Sequence, residues 1–289
     1  MAALIVSYNV RAFILETLRA YYQTSGQAAA AVVVDNASTD GSADAIEKGY
    51  PQARLIRLPE NVGFGRANNA GLDATDSEFV LLLNPDVILD EGCVDRLTEF
   101  LVAHPDAGAA GPRLERPDGS LDLAARRSFP SPQSALFRLT GLSRLFPHSA
   151  RLNRYNLGNV SAETSHEIDA GTAACLLVRR SAIAKVGFFD PDFFMYGEDL
   201  DLCFRLKQGG WKIYFVPTAT AVHIKGTSTR QATSKMLYEF HSAMWIFHQK
   251  HYAASTPVVL NWLIWLGIWT RWAALSLRAR ITKNSIVSP

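Results

Sequence analysis

Acidic side chains follow two apolar runs of this sequence, at the points where predicted strands end. Asp35 comes directly after residues 31–34, and Asp86 comes shortly after residues 81–83. In open α/β sheets, ligands bind beyond the carboxyl ends of the strands. A carboxylate there can accept a proton from a base edge or a ribose hydroxyl, or bind a hard divalent cation together with phosphate oxygens. Asp40 can cap the next helix, but Asp35 lies too early in the chain for that role.

His223 closes a short apolar strand at 220–222 and is a candidate partner for Asp86 in a cation site. A histidine at a strand end is more often structural than a ligand. Beside Asp86, however, it would complete a mixed oxygen and nitrogen ligand set. Pro85 fixes the backbone where the preceding strand leaves the sheet, which directs Asp86 into the cleft. Lys225 would then lie near a bound phosphate.

Three acids form the densest cluster of the chain: Glu198, Asp199 and Asp201. An aromatic segment that ends in a glycine, residues 193–197, precedes them, and a helical pattern follows. In the simpler interpretation the helix dipole favours acids in a first turn, and Asp201 and Arg205 form a surface pair. Three acids behind an aromatic hinge are an unusual cap, however. We therefore favour a base that takes the proton of an acceptor hydroxyl.

Alternating strand and helix patterns must position these side chains. The predicted strands of the first hundred residues are 4–6, 31–34, 53–58 and 79–83, and the predicted helices are 11–23, 42–48, 65–74 and 91–103. Helical crossovers between strands predict an α/β fold with a mostly parallel central sheet flanked by helices on both faces.

Glycine-rich phosphate loops are missing from their expected places. Residues 7–10, which follow the first strand, contain no glycine, and Gly63 and Gly65 lack the third glycine of a dinucleotide-binding turn. No P-loop sequence occurs either. The sequence therefore excludes the Rossmann and P-loop classes. It also disfavours a nucleotidyltransferase, which would need a glycine-rich basic loop after the first strand.

The second half of the chain has a different pattern. Repeated prolines and an Asp-Gly turn signal interrupt residues 113–167, where we expect a long excursion with one short amphipathic helix around 133–146. The elements predicted after it are a strand at 173–178, a helix ending at Val186, a helix from Glu198, strands at 211–216 and 219–224, and a helix at 233–250.

The composition of the 289-residue chain supports a large folded core, because 48% of its residues are hydrophobic and 19% are charged. The formal net charge of +2 is too small for a protein that coats nucleic acid, so no nucleic-acid partner is expected. Three widely spaced cysteines without a CxxC pair exclude a disulfide framework and a thiolate zinc site. No signal peptide is expected before the first strand, and we predict a cytoplasmic protein.

Two basic, aromatic-rich segments stand out against the acidic remainder. Residues 126–162 hold six arginines, residues 240–289 hold five bases, and neither segment holds an acid. They are either solvated basic faces or surfaces for an anionic membrane, where each base contributes about 1 kcal/mol. Residues 258–277 are apolar and carry four tryptophans at spacings of three and four. Because tryptophan prefers the headgroup level, we favour a helix lying in the membrane interface over a spanning helix or a buried core helix.

In their order along the chain, these motifs resemble family 2 inverting glycosyltransferases, and most of all their bacterial rhamnosyltransferase-like branch. The resemblance covers residues 3–230, and the last fifty residues share only an apolar and basic character. The matching motifs are Val6-Ser7-Tyr8-Asn9, Val34-Asp35-Asn36-Ala37-Ser38-Thr39-Asp40-Gly41-Ser42, Asn61-Val62-Gly63-Phe64-Gly65-Arg66-Ala67-Asn68-Asn69, Leu83-Asn84-Pro85-Asp86, Gly171, Gly187-Phe188-Phe189-Asp190, Gly197-Glu198-Asp199-Leu200-Asp201-Leu202 and His223.

The resemblance implies a GT-A fold, a nucleotide-diphosphate sugar donor and a Mg²⁺ or Mn²⁺ cofactor. Asp199 would be the catalytic base, and Asp86, the final acid of the family's DxD motif, would bind the metal with His223. Asn84 replaces the first acid that many members have in that motif. The residues matched to nucleotide or donor binding are Val6, Tyr8, Asn9, Asp35, Gly65, Arg66, Asn69 and Asn84, and those matched to the acceptor or to support are Gly171, Glu198, Asp201 and Lys225.

The predicted reaction is an inverting transfer of a sugar, with L-rhamnose as the candidate, to a hydroxyl of a membrane-associated, polyprenyl-linked saccharide in cell-surface polysaccharide synthesis. Residues 1–112 would bind the nucleotide sugar, residues 113–230 would hold the acceptor and the base, and residues 231–289 would form a C-terminal amphipathic helical extension. The extension would associate peripherally with the inner face of the plasma membrane. The alternative is a non-catalytic sugar-nucleotide-binding subunit of a membrane glycan-assembly complex. A membrane scaffold would not need carboxylates at successive strand ends.

Overall fold

The computed structural model describes residues 1–130, 145–146, 155, 157, 160–224 and 233–285. The helix predicted around 133–146, apart from its last two residues, and Lys225 lie outside the described residues. The strands β1 to β9 are Ala2–Ser7, Ala30–Asp35, Arg54–Arg57, Phe79–Leu83, Val87–Leu89, Ala107–Glu115, His166–Ile168, Cys175–Arg179 and Lys212–His223. The helices α1 to α8 are Arg11–Ser25, Ser42–Gly49, Phe64–Leu72, Cys93–Ala103, Arg180–Val186, Glu198–Gln208, Thr233–His251 and Val258–Ser285.

One nine-stranded sheet runs through the described chain, in the order β3-β2-β1-β4-β8-β6-β9-β5, with β7 also paired to β9. The pairs β3-β2, β2-β1 and β1-β4 are parallel, as is β6-β9. β8 runs antiparallel to both β4 and β6, and β5 and β7 run antiparallel to β9. Six strands therefore share one direction, which confirms the predicted mostly parallel sheet flanked by helices.

The strands next to the site are buried along their whole length. Every residue of β1 and β4 is buried, as are the last five residues of β2. Strands covered on both faces read as continuous apolar runs, which is why the sequence pattern located them. Helix α3 packs closely across this sheet: a Cβ on Gly71 would lie 2.2 Å from Leu4 Cδ1, so a larger residue there would displace the side chain of Leu4.

Four strands differ from the sequence prediction: β9, which was predicted as two strands, and β5, β6 and β7, which were not predicted. The segments predicted as strands at 211–216 and 219–224 form one strand, β9, whose pairing with β6 shifts register after Val216. Pro217 follows Val216 and has no N–H for the ladder, so the pairing skips while the strand continues. β6 was not predicted, because its alanines and glycines carry little strand signal. The predicted domain boundary at 112/113 falls inside β6, and the two proposed halves share one sheet.

The C-terminal helices differ in their surroundings. Helix α7 packs on the segment before α6, where Ala243 and Phe247 contact Phe193 in a small buried cluster. Helix α8 includes Val258–Ala279, 22 residues with mean hydropathy 1.3 and 6% of the window buried, which is long and apolar enough to cross a membrane. Exposed apolar side chains lie on several faces of α8, and not only on the face that carries the tryptophans. An amphipathic helix would have them on one face. Leu260 and Leu263, for example, lie away from the tryptophans and are 39% and 58% exposed.

Candidate active site

The carboxyl ends of β1, β2 and β4 lie side by side. Ser7 at the end of β1 is in register with Asp35 at the end of β2, and Leu4 is in register with Leu82 of β4. The loops after these strands therefore open at one edge of the sheet. This is the edge at which the acids after the strands were expected to meet.

Asp35 is buried at this edge, with 3% of its surface exposed. Its Oδ2 atom accepts from the backbone N–H of Ser38 at 3.0 Å, and its Oδ1 atom is buried without a hydrogen-bond partner. A buried acceptor without a partner costs free energy unless a ligand satisfies it. Asp35 Oδ1 is thus suited to accept a hydrogen bond from a bound donor group.

The loops after β1 and β2 hold each other through Asn9. Its Oδ1 atom accepts from the backbone N–H of Thr39 at 2.7 Å, and its own N–H donates to Ser38 Oγ at 3.0 Å. Asn9 has a φ of 53°, in the left-handed region that asparagine tolerates better than most residues. Tyr8 is exposed beside this contact, whereas the side chain of Val6 lies in the core, so Val6 can meet a ligand only through its backbone.

Three predicted donor-binding residues on α3 contact the segment before the acidic cluster. The side-chain amide of Asn69 donates to the carbonyl oxygen of Phe189 at 2.8 Å and accepts from its N–H at 3.1 Å. Arg66 Nε donates to the carbonyl oxygen of Pro191 at 3.2 Å, and a Cβ on Gly65 would lie 3.4 Å from Phe189 Cβ. These contacts dock α3 against residues 189–191. Donor binding by the three residues stays a prediction.

Asp86 and His223 lie together, as the sequence predicted. His223 Nε2 is 3.5 Å from Asp86 Oδ1, and β5 pairs with β9 so that Val87 is opposite His223. Both side chains are buried. The other ring nitrogen, Nδ1, is 3.0 Å from Asp122 Oδ2, and Asp122 is completely buried. Because a carboxylate accepts hydrogen bonds, Nδ1 donates to Asp122 and Nε2 faces Asp86.

This arrangement fits a divalent cation. A histidine that binds a metal usually donates its second ring N–H to a carboxylate, as His223 does to Asp122. Asn84 Oδ1, two residues before Asp86, is buried without a partner. Burial by itself would lower the pKa of His223, but its contacts with Asp122 and Asp86 raise that pKa above its ordinary value. The carboxylates of Asp86 and Asp122 thus favour positive charge at His223.

The protein supplies only part of such a ligand set. Among the described residues, no group of three or more His, Cys, Asp or Glu side chains is arranged to hold a metal ion. Hard divalent cations that bind phosphates commonly take one or two protein carboxylates and complete their shell with phosphate and water oxygens. Asp86 and His223 therefore suit a cation that arrives with a diphosphate.

The acidic cluster begins α6 behind a sharp turn. Tyr196 and Gly197 have φ angles of 70° and 81°, and α6 starts at the next residue. The three acids occupy its first turn, where the helix dipole favours negative charge. A Cβ on Gly197 would lie 3.1 Å from Phe193 and 3.2 Å from Ala243. The glycine thus permits both the left-handed turn and the close approach of α7.

Asp199 is bound by an arginine that the sequence analysis did not single out. Arg127 Nη2 donates to Asp199 Oδ2 at 2.7 Å, and the same atom donates to the carbonyl oxygen of Gly171. Gly171, predicted as a support residue, thus acts through its backbone oxygen. A Cβ at this position would lie 2.8 Å from Leu176 Cδ1. The one sequence signal for Arg127 was its place in the acid-free basic segment.

Asp201 has a structural role, because its contacts connect helices. It is 1% exposed, and its Oδ2 atom accepts from Arg205 Nε at 2.7 Å while its Oδ1 atom accepts from His251 Nε2 at 2.7 Å. Arg205 also donates to backbone carbonyl oxygens of Val186, Gly187 and Phe188. The predicted pair of Asp201 and Arg205 is therefore buried rather than on the surface. It connects α6 to α5 and, through His251, to α7.

Glu198 is buried beside Asp199, and its Oε2 atom has no hydrogen-bond partner. Burial raises the pKa of Glu198 to about 8, and the neighbouring Asp199 adds to that shift. Glu198 therefore carries a proton at neutral pH.

A pH dependence of stability follows from the raised pKa of Glu198. In the unfolded chain its pKa is near 4.5, so unfolding between pH 4.5 and about 8 releases a proton, and stability falls as pH rises through this range. Glu198→Gln does not titrate. We expect its melting temperature, relative to the natural chain, to increase from pH 5 to pH 8. Glu99→Gln, an exposed control, should track the natural chain, and equal curves for Glu198→Gln would contradict the assignment.

Comparison with family models identifies the class of protein. The model of "Glycosyl transferase family 2" matches residues 2–187, and that of "Glycosyl transferase family group 2" matches residues 150–283. The first match covers more than half of the chain and includes Asp35, Asp86 and Arg127. The chain belongs to glycosyl transferase family 2 and is a glycosyltransferase, as its motifs predicted.

Two curated relatives indicate which branch of the family the chain resembles. The chain is 32% identical over 244 residues to N-acetylglucosaminyl-diphospho-decaprenol L-rhamnosyltransferase of Mycobacterium tuberculosis, covering 81% of this chain and 78% of the relative. It is 26% identical over 180 residues to rhamnosyltransferase WbbL of Escherichia coli, covering 60% and 65%. The resemblance to the rhamnosyltransferase-like branch is thus confirmed at the level of sequence.

Solved structures confirm the GT-A type of fold. GalNAc-T7 with UDP, GalNAc and Mn²⁺ matches with a TM-score of 0.60 and 14% identity over 90% of this chain. This chain spans about half of that protein, 52% of its length. The mannosyltransferase PcManGT of Pyrobaculum calidifontis, in complex with GDP-Man and Mn²⁺, matches with a TM-score of 0.59 and 16% identity, covering 100% of this chain and 75% of the other.

Proposed function

We propose that this glycosyltransferase moves L-rhamnose, with inversion, from a nucleotide-diphosphate donor to a hydroxyl of a polyprenyl-diphosphate-linked saccharide in cell-surface polysaccharide synthesis. The observation that carries the proposal is the 32% identity, over 81% of the chain, to a rhamnosyltransferase named for a diphospho-decaprenol-linked acceptor. The buried acids at the sheet edge and Asp199 on α6 support the proposal, because such a transfer needs a cation ligand and a base.

The donor would lie across the carboxyl ends of β1, β2 and β4. Asp35 Oδ1, buried and without a partner, would accept a hydrogen bond from the nucleobase, and Tyr8 is exposed beside it. The diphosphate would extend toward Asn84 and Asp86, which follow β4. The hydrogen bonds that Asn9 makes across the two loops would hold the base end of this cleft in shape.

Asp86 and His223 would hold a Mg²⁺ or Mn²⁺ ion, with Asp122 orienting the imidazole. When bound, such an ion stabilises the negative charge that develops on the diphosphate leaving group. Asp199 would remove the proton of the acceptor hydroxyl on the face opposite the leaving group. The attacking oxygen then bonds to the anomeric carbon as the bond to the diphosphate breaks, and one displacement inverts the configuration.

A transfer assay with purified protein tests the proposal. With dTDP-L-rhamnose and a polyprenyl-diphosphate-linked N-acetylglucosamine acceptor, we expect nucleotide diphosphate release that requires the acceptor and a product of inverted anomeric configuration. A panel of dTDP-, UDP- and GDP-sugars, titrated calorimetrically with and without Mn²⁺, checks the donor. Preferred use of a different sugar would reject rhamnose. Donor binding without transfer or hydrolysis would favour the non-catalytic subunit.

The proposed metal site makes a quantitative prediction. Asp86→Asn is expected to remove a ligand and abolish measurable Mn²⁺ binding in the presence of saturating dTDP. Asp122→Asn leaves both ligands in place but no longer fixes the ring of His223, so Mn²⁺ affinity should fall about 10–100-fold. Calorimetric titration of Mn²⁺ measures both effects, with the exposed Asp118→Asn as the matched control. Unchanged affinity in Asp86→Asn would place the ion elsewhere.

We further propose that α8 inserts its apolar surface into an anionic membrane on the cytoplasmic side. The helix carries exposed apolar side chains, including Trp262 at 65% and Leu263 at 58%, and the chain from 240 onward holds bases and no acid. Interfacial tryptophans and bases suit a lipid surface that also carries the acceptor. This placement supports peripheral attachment next to a polyprenyl-linked substrate.

Vesicle binding tests the role of α8. The double variant Trp262→Ser and Trp265→Ser removes two exposed rings whose centroids are 5.8 Å apart. Neither ring belongs to the buried core. We expect sedimentation with phosphatidylglycerol vesicles to fall at least fivefold, because each ring buries a large apolar area in lipid. Val102→Ser changes an equally exposed apolar residue on α4 and serves as the control. Equal sedimentation of all proteins would refute the proposal.

A further inference from the structure

Arg127 contacts the proposed base from a segment far away in the chain. Its Nη2 atom donates to Asp199 Oδ2 at 2.7 Å and to the carbonyl oxygen of Gly171. The two side chains are 11% and 13% exposed. The main chain of Arg127 also pairs with Ala170, with hydrogen bonds of 2.9 Å in both directions. Backbone and guanidinium are therefore both anchored at 170–171.

We infer that Arg127 is a positioning residue that orients the Asp199 carboxylate for proton transfer, an inference that rests on the proposed function. Two contacts fix the orientation of the Asp199 carboxylate: Arg127 donates to Oδ2, and the N–H of Leu200 lies 2.7 Å from Oδ1. An ionised carboxylate has about four lone-pair sites, so these contacts leave acceptor capacity for a hydroxyl. A displacement of about 1 Å in a reacting group can cost about 100-fold in rate.

Arg127 also separates the roles of two adjacent acids. Two neighbouring carboxylates that are both buried resist ionising together. The guanidinium hydrogen-bonds to Asp199 and not to Glu198. Burial and the neighbouring Asp199 raise the pKa of Glu198 to about 8, although the charge of Arg127 acts to lower it. Burial alone would lower the pKa of Arg127, but Asp199 raises it above its ordinary value, so the guanidinium stays charged.

The remaining groups around this pair lie on α6, on α7 and at Tyr155. Asp201 and Cys203 lie on α6, and Tyr155 also interacts electrostatically with Arg127. His251 of α7 reaches the cluster through Asp201. None of these carries a positive charge that contacts Asp199, so in the described chain Arg127 is the cation that the base depends on.

The test compares Arg127→Met with Arg127→Lys, and Arg126→Met as a matched control. Arg126 is also buried, but its guanidinium donates to the carbonyl oxygens of Val160 and Ser161 instead of Asp199. For Arg127→Met we expect kcat to fall about 10–100-fold, with donor affinity unchanged. The loss should fall on kcat and not on the KM of the acceptor, because Arg127 acts through its contact with Asp199. Arg126→Met should leave kcat in place.

The double variant of Arg127→Met with Asp199→Asn decides how the two residues act. If Arg127 works through Asp199, the double variant is no slower than Asp199→Asn alone. Multiplied losses, or a normal kcat in Arg127→Met, overturn the inference, while a slow Asp199→Asn leaves the proposed base intact. Normal turnover of Asp199→Asn overturns the base and the inference with it. If Arg127→Met does not fold, Arg127→Lys decides. Lysine keeps the positive charge but lacks the planar guanidinium, so kcat should still fall. A kcat equal to that of the natural chain would overturn the inference.

Discussion

Asp199→Asn is expected to slow turnover by about 10²–10⁴-fold while donor affinity stays unchanged. The amide has nearly the shape of the carboxylate, and its oxygen can still accept from Arg127. It cannot take the proton of an acceptor hydroxyl, however. Because Asp199 lies on α6 and not at the ends of β1 and β2, its loss should leave the proposed nucleotide contacts of Asp35 intact.

Single-turnover rates and calorimetric donor titration measure these two quantities separately. Asp118→Asn, which changes an exposed acid of a turn, is the matched control and should behave as the natural chain. Turnover of Asp199→Asn within threefold of the natural chain would remove Asp199 from the role of base. Glu198→Gln would then be the next variant to test, since Glu198 is the neighbouring acid with the raised pKa.

Asp201→Ala is expected to cause the largest loss of stability, about 3–5 kcal/mol. The substitution leaves Arg205 without its carboxylate in a buried site and removes the acceptor of His251. In a chain of this size each kcal/mol lowers the melting temperature by roughly 2–4 °C. We therefore expect a decrease of roughly 6–20 °C by calorimetry or circular dichroism.

Asp106→Ala provides the control. It removes the ion pair between Asp106 and Lys212, which has a similar length of 2.8 Å, and both of these side chains are about half exposed. Exposed pairs contribute little to stability, so this variant should melt close to the natural chain. Asp201→Asn keeps an acceptor for one partner and should lie between the two. A loss of stability in Asp201→Ala no larger than that in Asp106→Ala would contradict a structural role for Asp201.

Segment 122–127 connects the two chemical halves of the site. Asp122 at its start orients His223 of the proposed metal site, and Arg127 at its end holds the proposed base. The segment is itself fixed, since the backbone N–H of Asp122 donates to the carbonyl oxygen of Leu114 and Arg127 pairs with Ala170. We propose that these backbone contacts hold the proposed cation and base sites in a fixed relation to each other.

The sequence was informative where a side chain's role depends on its neighbours in the chain. Buried strands read as apolar runs, so β1, β2 and β4 were located, and with them the acids that follow them. The left-handed turn before α6 was signalled by Gly197. β6 was missed, because its alanines and glycines acquire their burial only from the strands on either side.

The amino-acid sequence by itself determined the family, the strand ends that carry Asp35 and Asp86, and the first helical turn that carries Asp199. Apart from the pair of Asp86 and His223, only the tertiary structure decided which side chains these groups meet. Asp122 and His223 are 101 residues apart, Arg127 and Asp199 are 72 apart, and Asp201 and His251 are 50 apart. Local patterns cannot encode contacts over such separations, because they arise only when the packing of the whole sheet and its helices brings the segments together.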